Sequence, residues 1–300
     1  MMAADLPTIG FIGVGSMGKP MARQMLCAGY PLIAFDINNE RLDAVVLHGA
    51  APAESAADAV GRADIVMTSL RSSEIFVEVA DQYLVPNARA GQVFIDLGTT
   101  TPPEARRIAA ALERRGAALL DVPVSGGPPG CENGNLRMFA GGDKATYDKC
   151  RPILEILGEP RRVVYCGPSG MGQVVKAVNQ LAMGLALASY MEAIAFGVRA
   201  GADPEAIRDG VGGDDGWRKD FESAARMIFD GRYNELYIKF PELHYFLREA
   251  REKGFPMPMT QALFEFCDAG ERIMVDNMNR PAASFWHELV ARSAAEEEQG

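Results

Sequence analysis

The sequence is short of the residues that metal sites and disulfide scaffolds require. Its three histidines (His48, His244, His287) lie far apart, with no ligand-pair spacing among them, so no metal is expected. Its five cysteines (Cys27, Cys131, Cys150, Cys166, Cys267) are odd in number and form no Cys-x-x-Cys pair. That predicts reduced thiols in a cytoplasmic setting. Basic residues are outnumbered: 30 Lys and Arg stand against 40 Asp and Glu, a net charge of -10. Such a balance argues against a nucleic-acid or anionic-membrane surface, although a local basic pocket can still hold a small anion. The opening MMAADLPT has no basic n-region of a signal peptide. Repeats and low-complexity linkers are missing too. Only Leu181 to Ala195 is strongly apolar. Ser189, Tyr190 and Glu192 interrupt it, and Lys176, Asn179 and Gln180 precede it, so a buried core helix is expected there rather than a membrane span.

What the sequence does contain is 300 residues, 48% of them hydrophobic, enough for two ordinary domains. Short apolar runs alternate with helical patterns through the first half. Ile9–Ile12, Leu32–Phe35, Ile65–Leu70, Val93–Leu97, Ala118–Val122, Met138–Ala140 and Val163–Cys166 read as strands. Met17–Ala28, Ser55–Val60, Pro103–Arg115 and Ala145–Leu157 read as helices, with Gly29, Gly116 and Gly158 placed to end three of them. Alternation of this kind implies a mostly parallel sheet with right-handed crossovers. Beyond Gly167-Pro168-Ser169-Gly170 only helical periodicity remains. A long helix is expected from Gly172 to Ala200, closing at Gly201. A new one starts at Asp203-Pro204, a cap followed by proline at the first helical position. Others are expected near Trp217–Phe229, Glu242–Lys253, Thr260–Ala269 and Ala282–Arg292, before an acidic tail. The fold class is therefore an α/β Rossmann-type domain over 1–167, followed by an all-α domain over 168–300.

The first strand runs directly into Gly13-Val14-Gly15-Ser16-Met17-Gly18, and a helix opens after it. This is Gly-x-Gly-x-x-Gly in its strand-to-helix context. Gly13 permits the tight turn, Gly15 lets the backbone approach a pyrophosphate, and Gly18 allows close helix–sheet contact. The helix N-terminus adds N–H groups and partial positive charge. The second strand ends in Phe35-Asp36, roughly 20 residues on, where a carboxylate can accept both ribose hydroxyls. Alternatively, Asp36 only caps a turn with Asn38-Asn39. No arginine adjoins Asp36, so NAD is expected rather than NADP.

Four blocks in order resemble the β-hydroxyacid dehydrogenases, the family of the 3-hydroxyisobutyrate dehydrogenases. They are Phe11–Ala22, Asp96–Pro102, Asp121–Gly127 with Gly134-Asn135-Leu136, and Gly170–Gln180. The resemblance implies hydride transfer between a nicotinamide and the hydroxyl-bearing carbon of a small 3-hydroxy acid, and a homodimer or homotetramer. It also places Leu70-Arg71 in the loop beside the cofactor, where the family has Leu-Pro, and Thr99 near the nicotinamide ribose. Gly98 stands where serine is frequent. Gln180 stands where an Asn-Asn pair would end.

A 3-hydroxy acid needs its carboxylate held and a proton moved. Ser125-Gly126-Gly127 suits the first task, since paired glycines let N–H groups converge on an anion and serine adds a hydroxyl. A plain turn into Pro128-Pro129-Gly130 is the competing reading. Lys176 suits the second task. Asn179 and Gln180, at i+3 and i+4, share its helix face, and Val174, Val175, Ala177 and Val178 surround it. Partial desolvation is expected to lower its pKa toward general acid–base use. Alone, a lysine so placed reads first as one that snorkels to solvent; with the resemblance, it is the catalytic residue. Two alternatives stand beside this reading: an imine reductase of similar architecture, whose members usually lack the lysine, and a dinucleotide-binding protein without catalysis. One departure concerns the C-terminal half. Counting back from Gly254-Phe255-Pro256-Met257-Pro258 puts Pro241-Glu242 where the family carries Lys-Asp, with Lys239 two residues earlier. Either Lys239 reaches in from the preceding loop or the site has lost a positive charge; the second, favoured here, predicts poor activity on 3-hydroxyisobutyrate and tartronate semialdehyde.

Overall fold

The computed structural model describes residues 6–230 and 243–273, with side chains to Glu265. Nine strands form one sheet: β1 (Ile9–Ile12), β2 (Leu32–Phe35), β3 (Ala51–Pro52), β4 (Ile65–Thr68), β5 (Val93–Asp96), β6 (Ala118–Asp121), β7 (Val124–Ser125), β8 (Leu136–Gly141) and β9 (Gly158–Gly167). Their order is 3-2-1-4-5-6-8-7, with β9 paired to β8. β1 to β6 are parallel, β8 runs antiparallel to β6 and β7, and β9 returns parallel to β8. This is the mostly parallel sheet expected. The chain order reverses between β1 and β4, the switch point where open α/β sheets bind ligands.

The helices of this part are α1 (Gly18–Cys27), α2 (Asn39–Val46), α3 (Ala56–Arg62), α4 (Ser73–Val79) continuing through a π-turn (Ala80–Leu84) into α5 (Val85–Asn87), α6 (Pro102–Glu113), α7 (Gly127–Glu132) and α8 (Lys144–Leu157). Side-chain caps set several starts: Asn38, Ser55, Ser72, Thr101 and Asp143 each accept a backbone N–H in the first turn. Two apolar layers fill the faces of the sheet, one around Phe11, Met21 and Leu154, the other around Phe76, Phe94 and Ile108.

Gly29 and Gly116 adopt φ of 87° and 74°, as helix-ending glycines do. Gly158 does not: its φ is -128° because β9 begins at that residue. Its glycine is needed for a different reason, since a Cβ there would sit 2.8 Å from the Leu136 carbonyl oxygen. Pro128 and Pro129 open α7 rather than ending a turn, because a first helical turn has no use for their missing N–H groups.

The remaining helices are α9 (Met171–Arg199), α10 (Pro204–Val211), α11 (Gly216–Phe229), α12 (Leu243–Glu252) and α13 (Pro258–Ile273). The chain divides into two compact units, Met1–Ala177 and Val178–Gly300, with the division falling within α9. Every described element after α9 is helical, as expected. Asp203 caps α10 by accepting the N–H groups of Glu205 and Ala206. The expected helix at Ala282–Arg292 and the positions Lys239, Pro241 and Glu242 lie outside the described residues. α9 is only in part the buried core helix expected. Met191, Ile194, Ala195 and Val198 are buried, but Met183 is 58% and Phe196 76% exposed. By length and composition alone it could cross a membrane.

Candidate active site

The glycine-rich turn is built as its three glycines require. Gly13 has φ of 90°, and a Cβ on it would lie 2.5 Å from the Ser69 carbonyl oxygen. A Cβ on Gly18 would overlap the Gly13 carbonyl oxygen. Both positions are forced by packing. Gly15 differs: among the described residues, the one atom a Cβ there would meet within 4 Å is Arg41 Nη1, at 3.8 Å. Its outer side is therefore an open cradle, which fits a pyrophosphate drawn against the backbone. Val14 is buried, Ser16 exposed and Met17 half-buried on the way into α1.

Asp36 closes this turn onto the end of β2. One carboxylate oxygen accepts the Val14 N–H at 2.8 Å and the other the Asn38 N–H at 2.9 Å. The capping reading of Asp36 is thus correct as far as it goes. A carboxylate offers about four lone-pair sites, so two bonds leave capacity for ribose hydroxyls. Arg41, five residues past Asp36, is a cation that spacing alone does not bring to the turn. α2 carries its guanidinium back beside Gly15, and the Asn38 cap, whose side chain accepts the Arg41 N–H, was the signal that this turn is helical.

Leu70 and Arg71 follow β4; Leu70 meets the same crevice, and Arg71 is exposed. Leu70 Cδ2 lies 3.0 Å from where a Gly13 Cβ would be. The Leu70 carbonyl oxygen lies 3.3 Å from the corresponding point on Gly98, and Asp96 Oδ1 lies 3.2 Å from it. A side chain at position 98 would be a tight fit, needing a neighbour to give by a few tenths of an ångström. Thr99 is half-buried between Gly98 and the buried Thr100.

Lys176 and the Ser-Gly-Gly segment come together. Lys176 is 8% exposed, and its Nζ donates to the Val124 carbonyl oxygen at 2.7 Å, next to Ser125. It does not snorkel to solvent. Ser125 ends β7, and Gly126 and Gly127 have φ of 140° and 60°, conformations that favour glycine. Asn179 is half-buried and Gln180 buried, farther along α9.

Two buried acids underlie this arrangement, and neither had a role in the sequence reading. Asp96 and Asp121 face each other in register on β5 and β6. Asp121 accepts the Gly170 N–H at 2.7 Å and the Gln173 N–H at 3.1 Å, holding the start of α9. Asp96 accepts from the Thr68 hydroxyl, the Gly98 N–H and the Thr100 hydroxyl. Burial pushes Asp96 up to about 7 against those three hydrogen bonds, and Asp121's charge adds to the rise. Burial likewise pushes Asp121 up to about 6, against the N–H groups of Gly170 and Gln173. In the unfolded chain both carboxyls titrate near 3.9. Between about pH 4 and pH 6–7 the folded protein holds protons that the unfolded chain has released, so stability falls as pH rises through that window. Asp96→Asn should flatten this dependence. Urea melts at pH 5 and pH 7 check it, and an unchanged pH difference in the variant contradicts the assignment.

Among the described residues no cluster of three or more His, Cys, Asp or Glu could hold a metal.

Comparison with known proteins accords with these features. Residues 8–167 match the NAD binding domain of 6-phosphogluconate dehydrogenase, and residues 170–279 the NAD-binding region of NADP-dependent 3-hydroxyisobutyrate dehydrogenase. The 2-(hydroxymethyl)glutarate dehydrogenase of Eubacterium barkeri is 30% identical over 296 residues, 96% of this chain and 97% of that protein. The NAD-dependent L-serine dehydrogenase of Pseudomonas aeruginosa is 39% identical over 204 residues, 67% of each chain. Among solved structures, Mycobacterium tuberculosis 3-hydroxyisobutyrate dehydrogenase with L-serine superposes with a TM-score of 0.81. It is 25% identical, and the match covers 95% of this chain and 99% of that one.

Proposed function

The chain belongs to the β-hydroxyacid dehydrogenase family, and from that premise we propose that Lys176 is the general acid–base of an NAD-dependent oxidation of a small 3-hydroxy acid. The enzyme is an oxidoreductase acting on the hydroxyl-bearing carbon of its substrate. The observation that carries the residue assignment is the buried Lys176 ammonium beside Ser125. Bound NAD supplies the hydride acceptor in oxidation, and its reduced form the donor in reduction. The glycine cradle at Gly13, Gly15 and Gly18 would hold its pyrophosphate, with Arg41 alongside, and Asp36 would hold a ribose. Ser125, Gly126 and Gly127 take the substrate carboxylate. In oxidation Lys176 Nζ, neutral, accepts the hydroxyl proton; in reduction its ammonium returns one to the developing alkoxide. Imine reductases of similar architecture usually lack this lysine, so its presence favours the hydroxy acid reading, and its burial beside Ser125 favours catalysis over cofactor binding alone.

The test is turnover of a panel of 3-hydroxy acids with NAD and with NADP. Turnover with NAD at the lower KM is expected; tighter use of NADP would mean that Arg41 outweighs Asp36 at the ribose. The exposed apolar residues of α9, Met183 and Phe196 among them, support a subunit interface. We read the protein as a cytoplasmic homo-oligomer, and a concentration-independent monomer in sedimentation would contradict the assembly.

A further inference from the structure

Gln173 is 1% exposed, on the first turn of α9, three residues before Lys176 and therefore on the lysine's side of the helix. Both ends of its side-chain amide are used on one short segment. Oε1 accepts the Thr100 N–H at 3.0 Å, and Nε2 donates to the Gly98 carbonyl oxygen at 3.0 Å. The amide thus pairs with the segment as a neighbouring strand would, taking one N–H and one C=O on either side of Thr99. Other bonds pin the flanks. The Thr100 hydroxyl donates to Asp96 at 2.8 Å, and the Thr101 N–H donates to Ser73 Oγ at 3.1 Å. The helix end of the link is fixed as well, since the Gln173 N–H is held by Asp121.

We propose that Gln173 is a positioning residue that holds the Gly98–Thr100 segment, and so the nicotinamide side of the cofactor site, at a fixed place relative to Lys176. The inference rests on the dehydrogenase reading above. Hydride and proton leave the same substrate carbinol, so the cofactor loop and the lysine must keep one mutual geometry. Placement errors of about 1 Å cost on the order of 10²-fold in rate. Only a carboxamide can serve here. A methionine fills the space but leaves the Thr100 N–H and Gly98 C=O buried without partners. A glutamate keeps the acceptor and loses the donor until it is protonated.

The experiment compares the full-length wild type with Gln173→Met and Gln173→Glu, using NAD and the best hydroxy acid of the panel. Rates are normalised to folded protein from thermal melts. Gln173→Met should lower kcat about 10- to 100-fold, with NAD affinity close to that of the wild type. Gln173→Glu should recover relative to the wild type as pH falls, because the protonated carboxyl regains a donor for Gly98. Asp96 and Asp121, the acids packed around this position, titrate in the wild type too and couple to the new carboxyl; the same pH series on Gln173→Met, which keeps both acids and adds no carboxyl, sets the background. A purely structural role would lower the melting temperature while leaving kcat per folded enzyme and the pH ratio unmoved, and that result overturns the proposal. If the wild type itself oxidises no hydroxy acid, the functional reading falls and takes this one with it. A working wild type with unaffected variants overturns this one alone.

Discussion

Lys176→Ala is expected to abolish turnover while NAD still binds. General acid–base catalysis contributes about 10² to 10⁴ in rate, and loss of the lysine removes the group that moves the proton. Cofactor affinity should be nearly unchanged, since the groups placed on the dinucleotide, from Gly13 to Gly18 with Asp36, lie in the turn between β1 and α1 and just past the end of β2, away from α9 in the chain. Lys176→Arg is the informative partner. An arginine can still donate toward the Val124 carbonyl oxygen, but its guanidinium stays charged and cannot accept the hydroxyl proton. Arg should therefore be nearly as inactive as Ala. A variant of either kind that keeps most of its kcat would take Lys176 out of the mechanism.

Gly172→Ala should be as damaging, against the usual rule. In a helix, alanine is favoured over glycine by about 1 kcal/mol. Here a Cβ would overlap the carbonyl oxygens of Phe139 and Asp121 and sit 2.8 Å from Asp121 Oδ2. Phe139 and Asp121 lie on β8 and β6, strands paired on both sides, where backbone cannot easily give way. The start of α9 would have to lift off, taking Gln173 and Lys176 with it. Overpacking of this kind costs about 1–3 kcal/mol, and displacing the lysine by about 1 Å costs on the order of 10²-fold in rate. The expected result is a lower melting temperature together with a kcat loss that persists in the folded fraction. A variant as stable and as active as the wild type would show that α9 is not docked on the sheet through Gly172.

What could be read from the sequence was what lies close together along the chain. The turn from Gly13 to Gly18, the carboxylate of Asp36 and the helix face of Lys176 are set by local spacing, and the alternation of strands with helices implied the parallel sheet. The missing parts depend on the sheet's crossovers. Asp96 and Asp121 are 25 residues apart in number and become neighbours only when β5 and β6 pair. Gln173 lay inside a motif read for its lysine, and its partners Gly98 and Thr100 are more than 70 residues away. Arg41 comes back to Gly15 only because Asn38 starts a helix. Gly158, read as a helix end, is glycine because β8 passes against it.

The most direct test follows the hydride itself. The wild-type enzyme is given NAD and a 3-hydroxy acid that it turns over, carrying deuterium on its carbinol carbon, and the reduced cofactor is analysed by mass spectrometry and NMR. The account predicts deuterium in the nicotinamide ring, a primary isotope effect on the chemical step, and loss of both with Lys176→Ala. Reduced cofactor without deuterium, or undiminished deuterium transfer by the lysine variant, would contradict it.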